Sequence, residues 1–118
     1  MKRIVIAGCR DFNDYEHLSK VISNYLTSEN INEVLFLTGG CRGTDMLGEK
    51  YAKEHGFPYQ RYPAQWKKYG RAAGPIRNSE MAKDCDIVIC FWDQKSKGTR
   101  SMIEYAKKYG KILYIELI

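Results

Sequence analysis

Three short segments of the sequence combine glycine with at least one basic residue, a composition that suits phosphate binding. They are Gly8-Cys9-Arg10-Asp11, 39–45 and 92–99. Glycine lets a backbone approach a bound group closely, and arginine can pair with phosphate through two parallel hydrogen bonds. The middle segment has three glycines in five positions. We interpret it as a phosphate-binding turn; the alternative is a tight turn whose glycines only allow close packing.

Several charged side chains in these segments have two candidate roles. Arg10 and Arg42 either hold phosphate or pair with Asp11 and Asp45. The two aspartates are also candidates for accepting hydrogen bonds from ribose hydroxyls, and Asp45 alternatively complements a helix dipole. Together the three segments supply the candidate ligand-binding residues Gly8, Arg10, Asp11, Gly39, Gly40, Arg42, Gly43, Thr44, Asp45, Trp92, Lys97, Gly98 and Thr99.

The third segment adds an aromatic ring and a hydroxyl group. Trp92 follows an apolar run directly, where its ring either stacks on a base or packs at the edge of the core. Thr99 either binds phosphate or caps the following helix, and these two roles are compatible. Cys9 and Cys41 are predicted to be small packing residues, because the sequence places no histidine base beside them.

The spacing of apolar residues predicts five strands that alternate with four helices. The predicted strands are 3–7, 33–37, 57–62, 86–91 and 111–116, and the predicted helices are 15–28, 46–55, 75–83 and 99–109. Asp14 is a suitable N-cap for the first helix, Pro75 opens the third, and Thr99 caps the fourth. Pro58 favours an edge position for the third strand. The longest stretch predicted to be irregular is 63–74.

This alternation predicts a three-layer α/β fold, a Rossmann-like open parallel sheet of five strands with helices on both faces. The expected strand order is 3-2-1-4-5. Strands one and four are then neighbours at the point where ligands collect outside the carboxyl ends of the strands. All three glycine-containing segments open onto that crevice. They match neither GxxxxGK[ST] nor GxGxxG, so ATP hydrolysis and ordinary dehydrogenase chemistry lose support.

Length and composition indicate a single domain over residues 1–118. No apolar run approaches the roughly 18 residues that span a membrane, so no membrane association is expected. The four cysteines show no metal-ligand spacing, which fits a reduced, cytoplasmic protein without a metal or cofactor.

The net charge of +5 is concentrated in one basic segment, 61–78. This segment contains Arg61, Lys67, Lys68, Arg71 and Arg77, and no acidic residue. It either attracts phosphate, on a small ligand or on a nucleic acid, or is a solvated loop. Trp66, within it, either closes over a ligand or anchors the loop to the body of the protein, and we expect the anchor.

Four segments, in order along nearly the whole chain, resemble the SLOG superfamily, especially its YspA-like, single-domain bacterial and phage members. They are AGCRDF at 7–12, GGCRGTD at 39–45, AGPIRN at 73–78, and FWD at 91–93 with SKGT at 96–99. The resemblance implies a Rossmann-like domain that binds nucleotides or nucleotide-derived ligands, including ADP-ribose-type signals. It adds Arg77 and Asn78 to the candidate ligand-binding residues.

More distant relatives are the lonely-guy phosphoribohydrolases, which split a base from ribose 5′-monophosphate. They carry a PGGxGTxxE loop after strand four and an arginine-lysine pair on the preceding helix. Here Gly98-Thr99 matches the end of the glycine portion, but the first acid after it, Glu104, comes about one helical turn late. Arg77 matches the arginine, whereas Asn78 replaces the lysine.

Glycosidic cleavage needs a carboxylate near the ribose and a cation that steadies developing charge. The resemblance makes Arg77 the candidate cation. Because the expected glutamate position is not filled, the carboxylate is unassigned, with Glu80, Asp11 and Asp45 as candidates. This departure from the hydrolase pattern favours binding over catalysis.

Three functional hypotheses follow, in this order. The first is a sensor or sequestering protein that binds a phosphorylated, nucleotide-type small molecule in the crevice. The second is a nucleoside 5′-monophosphate phosphoribohydrolase. The third is a nucleic-acid-binding module built on 61–78, which ranks last because its cations are few and no recognition motif accompanies them.

The resemblance also implies a homo-oligomer, either a dimer or a tetramer. Tyr105 and Tyr109 form an apolar i,i+4 face that can pair with a second copy. The alternative is that the two tyrosines pack against the sheet of their own chain.

Overall fold

Five parallel strands form one sheet in the order β3-β2-β1-β4-β5, as the sequence predicts. The computed structural model describes all residues, 1–118. The strands are β1 (Lys2–Gly8), β2 (Val34–Thr38), β3 (Tyr59–Arg61), β4 (Ile87–Trp92) and β5 (Ile112–Leu117). The short β3 lies at one edge, where Pro58 precedes it.

Helices cover both faces of the sheet, which confirms the three-layer α/β architecture. They are α1 (Tyr15–Ser28), α2 (Thr44–Glu54), α3 (Trp66–Tyr69), α4 (Ala73–Asp84) and α5 (Lys97–Lys108), with a 3₁₀ turn at Gly70–Ala72. None of these helices combines the length and apolar character that crossing a membrane requires.

The central strands are buried on both faces, which explains their nearly continuous apolar sequence. On β1, Ile4 and Ile6 pack with α1 and α2 in a first core cluster. The alternate residues Val5 and Ala7 pack with α4 and α5 in a second cluster. The sheet therefore separates two cores, and the carboxyl ends of β1, β2 and β4 rise between them.

Several predicted boundaries are wrong, for local reasons. The stretch 63–74 is not irregular, because α3 begins at Trp66 and α4 begins at Ala73. Pro75 therefore lies within the first turn of α4, where amides need no helical partner and proline is tolerated. Trp92 is the last residue of β4 and not a loop residue.

The helix caps were predicted correctly in one case and incorrectly in another. The side chain of Asp14 accepts a hydrogen bond from the His17 amide at 3.1 Å, as a cap of α1 should. Helix α5, however, begins at Lys97, and its N-cap is Ser96, whose Oγ accepts from the Thr99 amide at 3.4 Å. Thr99 is the capped residue and not the cap.

Candidate functional site

A cavity of about 450 Å³ opens where the three glycine-containing segments meet. It lies between the segments that follow β1, β2 and β4, with α4 and α5 as further walls. The predicted ligand-binding residues that line it are Gly8, Arg10, Asp11, Arg42, Asp45, Arg77, Asn78, Gly98 and Thr99. The crevice expected from the sheet topology is thus present.

The other predicted ligand-binding residues of the glycine-rich turn do not line the cavity but join its walls. Gly43 has φ +78°, and a Cβ there would lie 2.3 Å from the carbonyl oxygen of Arg10. Thr44 donates to the carbonyl oxygen of Cys9. At Gly39, a Cβ would lie 2.4 Å from a guanidinium nitrogen of Arg77. The cavity walls are therefore supported by residues outside the lining, namely Gly39, Gly40, Gly43 and Thr44.

Arg77 is buried in the wall that α4 contributes, with a side chain only 8% exposed. Its Nη1 donates to the carbonyl oxygens of Gly39 at 2.9 Å and Tyr62 at 3.3 Å. Its Nε donates to Oδ1 of Asn78 at 3.0 Å, and Asn78 in turn donates to the carbonyl oxygen of Gly98 at 3.3 Å. These bonds fix a cation in the cavity wall and tie α4 to the start of α5.

Asp45 is the buried carboxylate of the cavity, 7% exposed. Its Oδ2 accepts from the backbone amide of Cys41 at 3.2 Å, so the side chain closes the turn. Burial raises its pKa from an ordinary 3.8 to about 6, although the Cys41 amide and the charge of Arg77 act in the opposite direction. This carboxyl group exchanges a proton near neutral pH.

The two exposed arginines at the rim differ in their partners. Arg42 Nη2 lies 3.4 Å from Oδ1 of Asp11, and both side chains are largely in solvent. This is the pairing named as an alternative to phosphate binding, and pairs in such solvent are weak. Arg10 lies against the thiol of Cys41, with 3.9 Å between Nη2 and Sγ. Both guanidinium groups stay accessible to an anion.

The segment after β4 contributes residues that the sequence reasoning missed. Asp93 Oδ1 accepts from the amides of Lys95 and Ser96, both at 2.8 Å, and these bonds lower the pKa of Asp93. Lys95, and not the predicted Lys97, lines the cavity. Aspartate favours turns because its side chain can accept from backbone amides two and three residues later. This signal for a turn at Asp93 was present in the sequence.

Trp92 and Glu80 lie outside the cavity lining. The indole of Trp92 donates to the carbonyl oxygen of Ser96 at 3.2 Å and packs against the second core cluster. It occupies the core-edge position that was the alternative to base stacking. Glu80 is exposed on α4 and is not among the lining residues.

The basic segment 61–78 has less free charge than its composition suggests. Arg61 pairs with Glu49, 2.7 Å apart, and Arg77 is buried. Lys67, Lys68 and Arg71 remain exposed. Trp66 is 52% exposed, and its ring lies 3.5 Å from the position of a Cβ on Gly74. Trp66 thus lies beside α4 and is not among the cavity-lining residues, and its anchoring role stays a prediction.

Cys85 and Cys90 are buried in the core, whereas Cys9 and Cys41 line the cavity. All four thiols are free, and burial raises the pKa of Cys9. Tyr105 and Tyr109 stack with their ring centres 6.1 Å apart, next to the second core cluster. Tyr109 also exchanges a hydrogen bond with Ser79 at 2.9 Å. No three His, Cys, Asp or Glu side chains are grouped closely enough to hold a metal ion.

Comparison with known proteins places this geometry in a family. The chain is similar to the Gene 61 protein of Mycobacterium phage D29, with 29% identity over 116 residues, 93% of this chain and 92% of the relative. The structure of TM1055 has the same fold, with a TM-score of 0.69 at 18% identity over 96% of this chain and 72% of that one. So does the C-terminal domain of PF1911 hydrogenase from Pyrococcus furiosus, with a TM-score of 0.54 at 16% identity over 98% and 92% of the two chains. The model of the family described as "YspA, cpYpsA-related SLOG family" matches residues 2–69, more than half of the sequence. The chain therefore belongs to the YspA, cpYpsA-related SLOG family.

Proposed function

We propose that the protein binds a phosphorylated nucleotide or nucleotide-derived ligand of the ADP-ribose type, as a sensor or sequestering protein. The observation that carries this proposal is the convergence of Arg10, Arg42, Arg77 and Lys95 on one cavity of about 450 Å³. Small-molecule sites in proteins typically have about 300–1,000 Å³. Family membership and the Rossmann-like neighbours suggest nucleotide-related binding or processing.

The start of α5 is the best place for a phosphate group. The amides in the first turn of a helix lack helical partners and attract anions. Ser96 occupies only the Thr99 amide, which leaves the amides of Lys97 and Gly98 available. A Cβ on Gly98 would meet no atom within 4 Å, so the backbone there is open to a ligand. Lys95 supplies a positive charge beside it.

The deeper part of the cavity suits a ribose better than an aromatic base. Asp45 lines this deeper part and Asp11 lies exposed at the rim, and both carboxylates can accept hydrogen bonds from hydroxyl groups. No aromatic ring is among the lining residues; its larger apolar side chains are Met81 and Met102. A base would therefore rest on flexible thioethers, which adapt to different ring shapes.

Native mass spectrometry with AMP, ADP, NAD and ADP-ribose, followed by calorimetry of the tightest ligand, tests the proposal. We expect saturable binding with no product formed. Arg77→Ala should abolish binding, whereas Arg71→Ala, an exposed arginine outside the cavity lining, should leave it unchanged. If the wild-type protein binds none of these ligands, the proposal is wrong.

Hydrolysis of nucleoside 5′-monophosphates is the alternative function, and Asp45 is the observation that favours it. A carboxyl group with a pKa of about 6 suits acid–base catalysis near neutral pH. In the reaction, water adds to C1′ of the ribose and the bond from C1′ to the base nitrogen breaks. Asp45 takes a proton from the water and returns it to the base nitrogen as the base leaves, and Arg77 steadies the negative charge that develops on the base.

Chromatography of AMP, GMP and CMP after long incubation separates the two functions. The hydrolase alternative requires free base from the wild-type protein and none from Asp45→Asn. Glu80→Gln and Glu104→Gln are the controls, since both carboxylates are exposed away from the cavity lining. Absence of free base with the wild type rejects the alternative and leaves the binding proposal in place.

Nucleic-acid binding remains the third proposal, with only Lys67, Lys68 and Arg71 as free cations in the basic segment. We also propose a homo-oligomer, a dimer or a tetramer, in a reducing cytoplasmic setting. Because Tyr105 and Tyr109 pack within their own chain, they are a poor interface. Light scattering coupled to gel filtration measures the oligomeric state directly.

A further inference from the structure

An ion pair between the buried Glu49 and the half-exposed Arg61 lies behind the cavity wall and joins the edge strand β3 to α2. Glu49 is only 1% exposed. Its carboxylate accepts from Nε and Nη2 of Arg61 at 2.8 and 2.7 Å, and from Oγ1 of Thr38 at 2.6 Å. A buried carboxylate with three such donors is well satisfied, and removing one partner leaves an uncompensated charge.

This pair abuts the glycine-rich turn on the side away from the cavity. Thr38, which donates to Glu49, directly precedes Gly39. The Cδ of Arg61 lies 3.2 Å from the position of a Cβ on Gly40, so its aliphatic stem packs on the turn. The next residue, Tyr62, donates its amide to the carbonyl oxygen of Thr38 at 2.8 Å. The ends of β2 and β3 are therefore held together here.

The opposite side of the same turn carries the charged groups of the cavity. The two carbonyl oxygens that hold Nη1 of Arg77 belong to Gly39 and Tyr62. Each of these residues directly follows a residue that is bonded to Glu49, namely Thr38 or Arg61. Asp45 lies one helical turn before Glu49 on the inner face of α2. Glu49, Arg61 and Thr38 thus adjoin the two segments whose carbonyl oxygens hold Nη1 of Arg77, and the helix that carries Asp45.

We propose that Arg61 is a positioning residue for the ligand cavity, acting through Glu49 and the Thr38–Gly40 turn on Arg77 and Asp45. The arginine does not line the cavity, and none of its hydrogen bonds is made there. The proposal rests on the proposed function in that the positioned groups contact a nucleotide-type ligand. Its effect on Asp45, however, exists in the ligand-free protein.

The charges around Asp45 make the coupling measurable. Asp45 faces Arg77 of α4, Glu49 of its own helix, the Cys41 amide of the turn and the Cys90 thiol of β4. The negative charge of Glu49 raises the pKa of Asp45. Although burial alone would raise the pKa of Glu49, the bonds from Arg61 and Thr38 lower it and keep Glu49 ionised. Without Arg61, the Glu49 charge acts on Asp45 uncompensated.

Carbon-13 NMR titration of the Asp45 carboxyl group in the ligand-free protein is the decisive measurement. Arg61→Met keeps the apolar stem over Gly40 and removes the charge, so the Asp45 midpoint should move upward. Glu49→Gln should move it downward, and the double variant should undo the upward shift. Arg61→Lys should largely restore the midpoint but only partly restore ligand binding, because an ammonium group cannot form the two-pronged contact.

Calorimetry with ADP-ribose provides the second readout, with an expected loss of about 2- to 30-fold in affinity for Arg61→Met. Lys20→Met, which breaks the exposed Lys20–Glu16 pair on α1, is the control and should change neither readout. An unmoved Asp45 midpoint in both Arg61→Met and Glu49→Gln overturns the proposal, and where Arg61→Met fails to fold, an unmoved midpoint in Glu49→Gln alone overturns it. Failure of the wild type to bind ADP-ribose counts against the proposed function, while the NMR titration still decides the coupling.

Discussion

Thr44 donates two hydrogen bonds to a single acceptor, the carbonyl oxygen of Cys9, from its amide at 3.2 Å and from its hydroxyl at 3.0 Å. Thr44 is fully buried, and a Cβ on Gly8 would lie 2.6 Å from its hydroxyl oxygen. The start of α2 is thus docked onto the segment after β1. The glycine-rich turn therefore holds two walls of the cavity together. The amide of Thr44, the first of α2, is occupied by the Cys9 carbonyl oxygen and does not bind a phosphate.

Two glycines with positive φ provide a matched test of this docking. Gly43 has φ +78° and Gly56 has φ +73°, so alanine is strained at both. For Gly56→Ala we expect a loss of about 1–2 kcal/mol in unfolding free energy, because a Cβ there meets no other atom. For Gly43→Ala we expect about 1–3 kcal/mol more, since its Cβ would overlap the Arg10 and Cys9 carbonyl groups.

Urea denaturation of both variants measures these losses, and calorimetry with ADP-ribose tests the site. Gly43→Ala should also weaken binding, because it displaces the Arg10 segment, whereas Gly56→Ala should bind normally. Equal losses of stability in the two variants would show that the contact with the Arg10 segment is not tight.

Asp45 predicts an unusual dependence of stability on pH. Its pKa is about 6 in the folded protein and 3.8 ordinarily, so the folded state binds this proton more tightly than the unfolded chain. The contribution to stability is complete below about pH 4 and is lost as the pH rises to about 6, a difference of about 3 kcal/mol. Glu49 and Asp93, whose pKa values are lowered, act in the opposite direction, and their contributions are lost as the pH falls below their ordinary pKa values of 4.5 and 3.8.

Asp45→Asn should remove this dependence. Relative to the wild type, the variant should gain stability between pH 4 and pH 7, because it never carries the buried charge. Thermal unfolding at half-unit pH intervals provides the comparison, and Asp11→Asn, an exposed aspartate at the rim, is the control. A wild-type stability that rises between pH 4 and pH 6 would contradict the assignment.

The sequence predicted the sheet because its central strands have simple requirements. Ile4, Val5, Ile6 and Ala7 alternate between two cores, so both parities must be apolar. The glycine-containing segments follow three of these strands, and the crossover rules then bring them to one edge. Fold and strand order were reachable by this route, whereas the family was reached through the resemblance of four sequence segments, and all three are confirmed.

The pairing of charged side chains could not be predicted from the sequence, for a physical reason. Glu49 is a residue type that is usually found on the exposed face of a helix. Its partner Arg61 lies in an edge strand, 12 residues later in the sequence. Such contacts leave no periodic signal. The orientation of Trp92, in contrast, could have been predicted. Trp92 alternates along β4 with Val88 and Cys90 on the face that packs against α4 and α5, so its ring lies on that face as well.

The exposed lysines of the basic segment, which lie outside the cavity, are not expected to contribute to ligand binding. Lys67→Ala/Lys68→Ala should bind ADP-ribose like the wild type, since neither lysine lines the cavity. Three cations give a salt slope of about −2 for single strands, too little for tight binding. Fluorescence anisotropy with labelled oligothymidine should detect no complex at physiological salt. A salt-dependent complex that is lost in this variant but kept in Lys107→Ala/Lys108→Ala would favour the nucleic-acid proposal instead.

Arg77→Lys separates the charge of the cavity wall from its geometry. Lysine keeps the positive charge but has one nitrogen in place of the guanidinium that serves Gly39, Tyr62 and Asn78 at once. We expect ADP-ribose affinity to fall about 10- to 100-fold, the equivalent of one charge-assisted hydrogen bond.

The pKa of Asp45 should stay close to its wild-type value in Arg77→Lys, because a cation remains beside it. Arg77→Met removes that cation and should raise the Asp45 pKa as well. Calorimetry and the carboxyl NMR titration measure the two effects separately. If the lysine variant binds as tightly as the wild type, charge alone holds the ligand, and the hydrogen bonds of Arg77 serve only the fold.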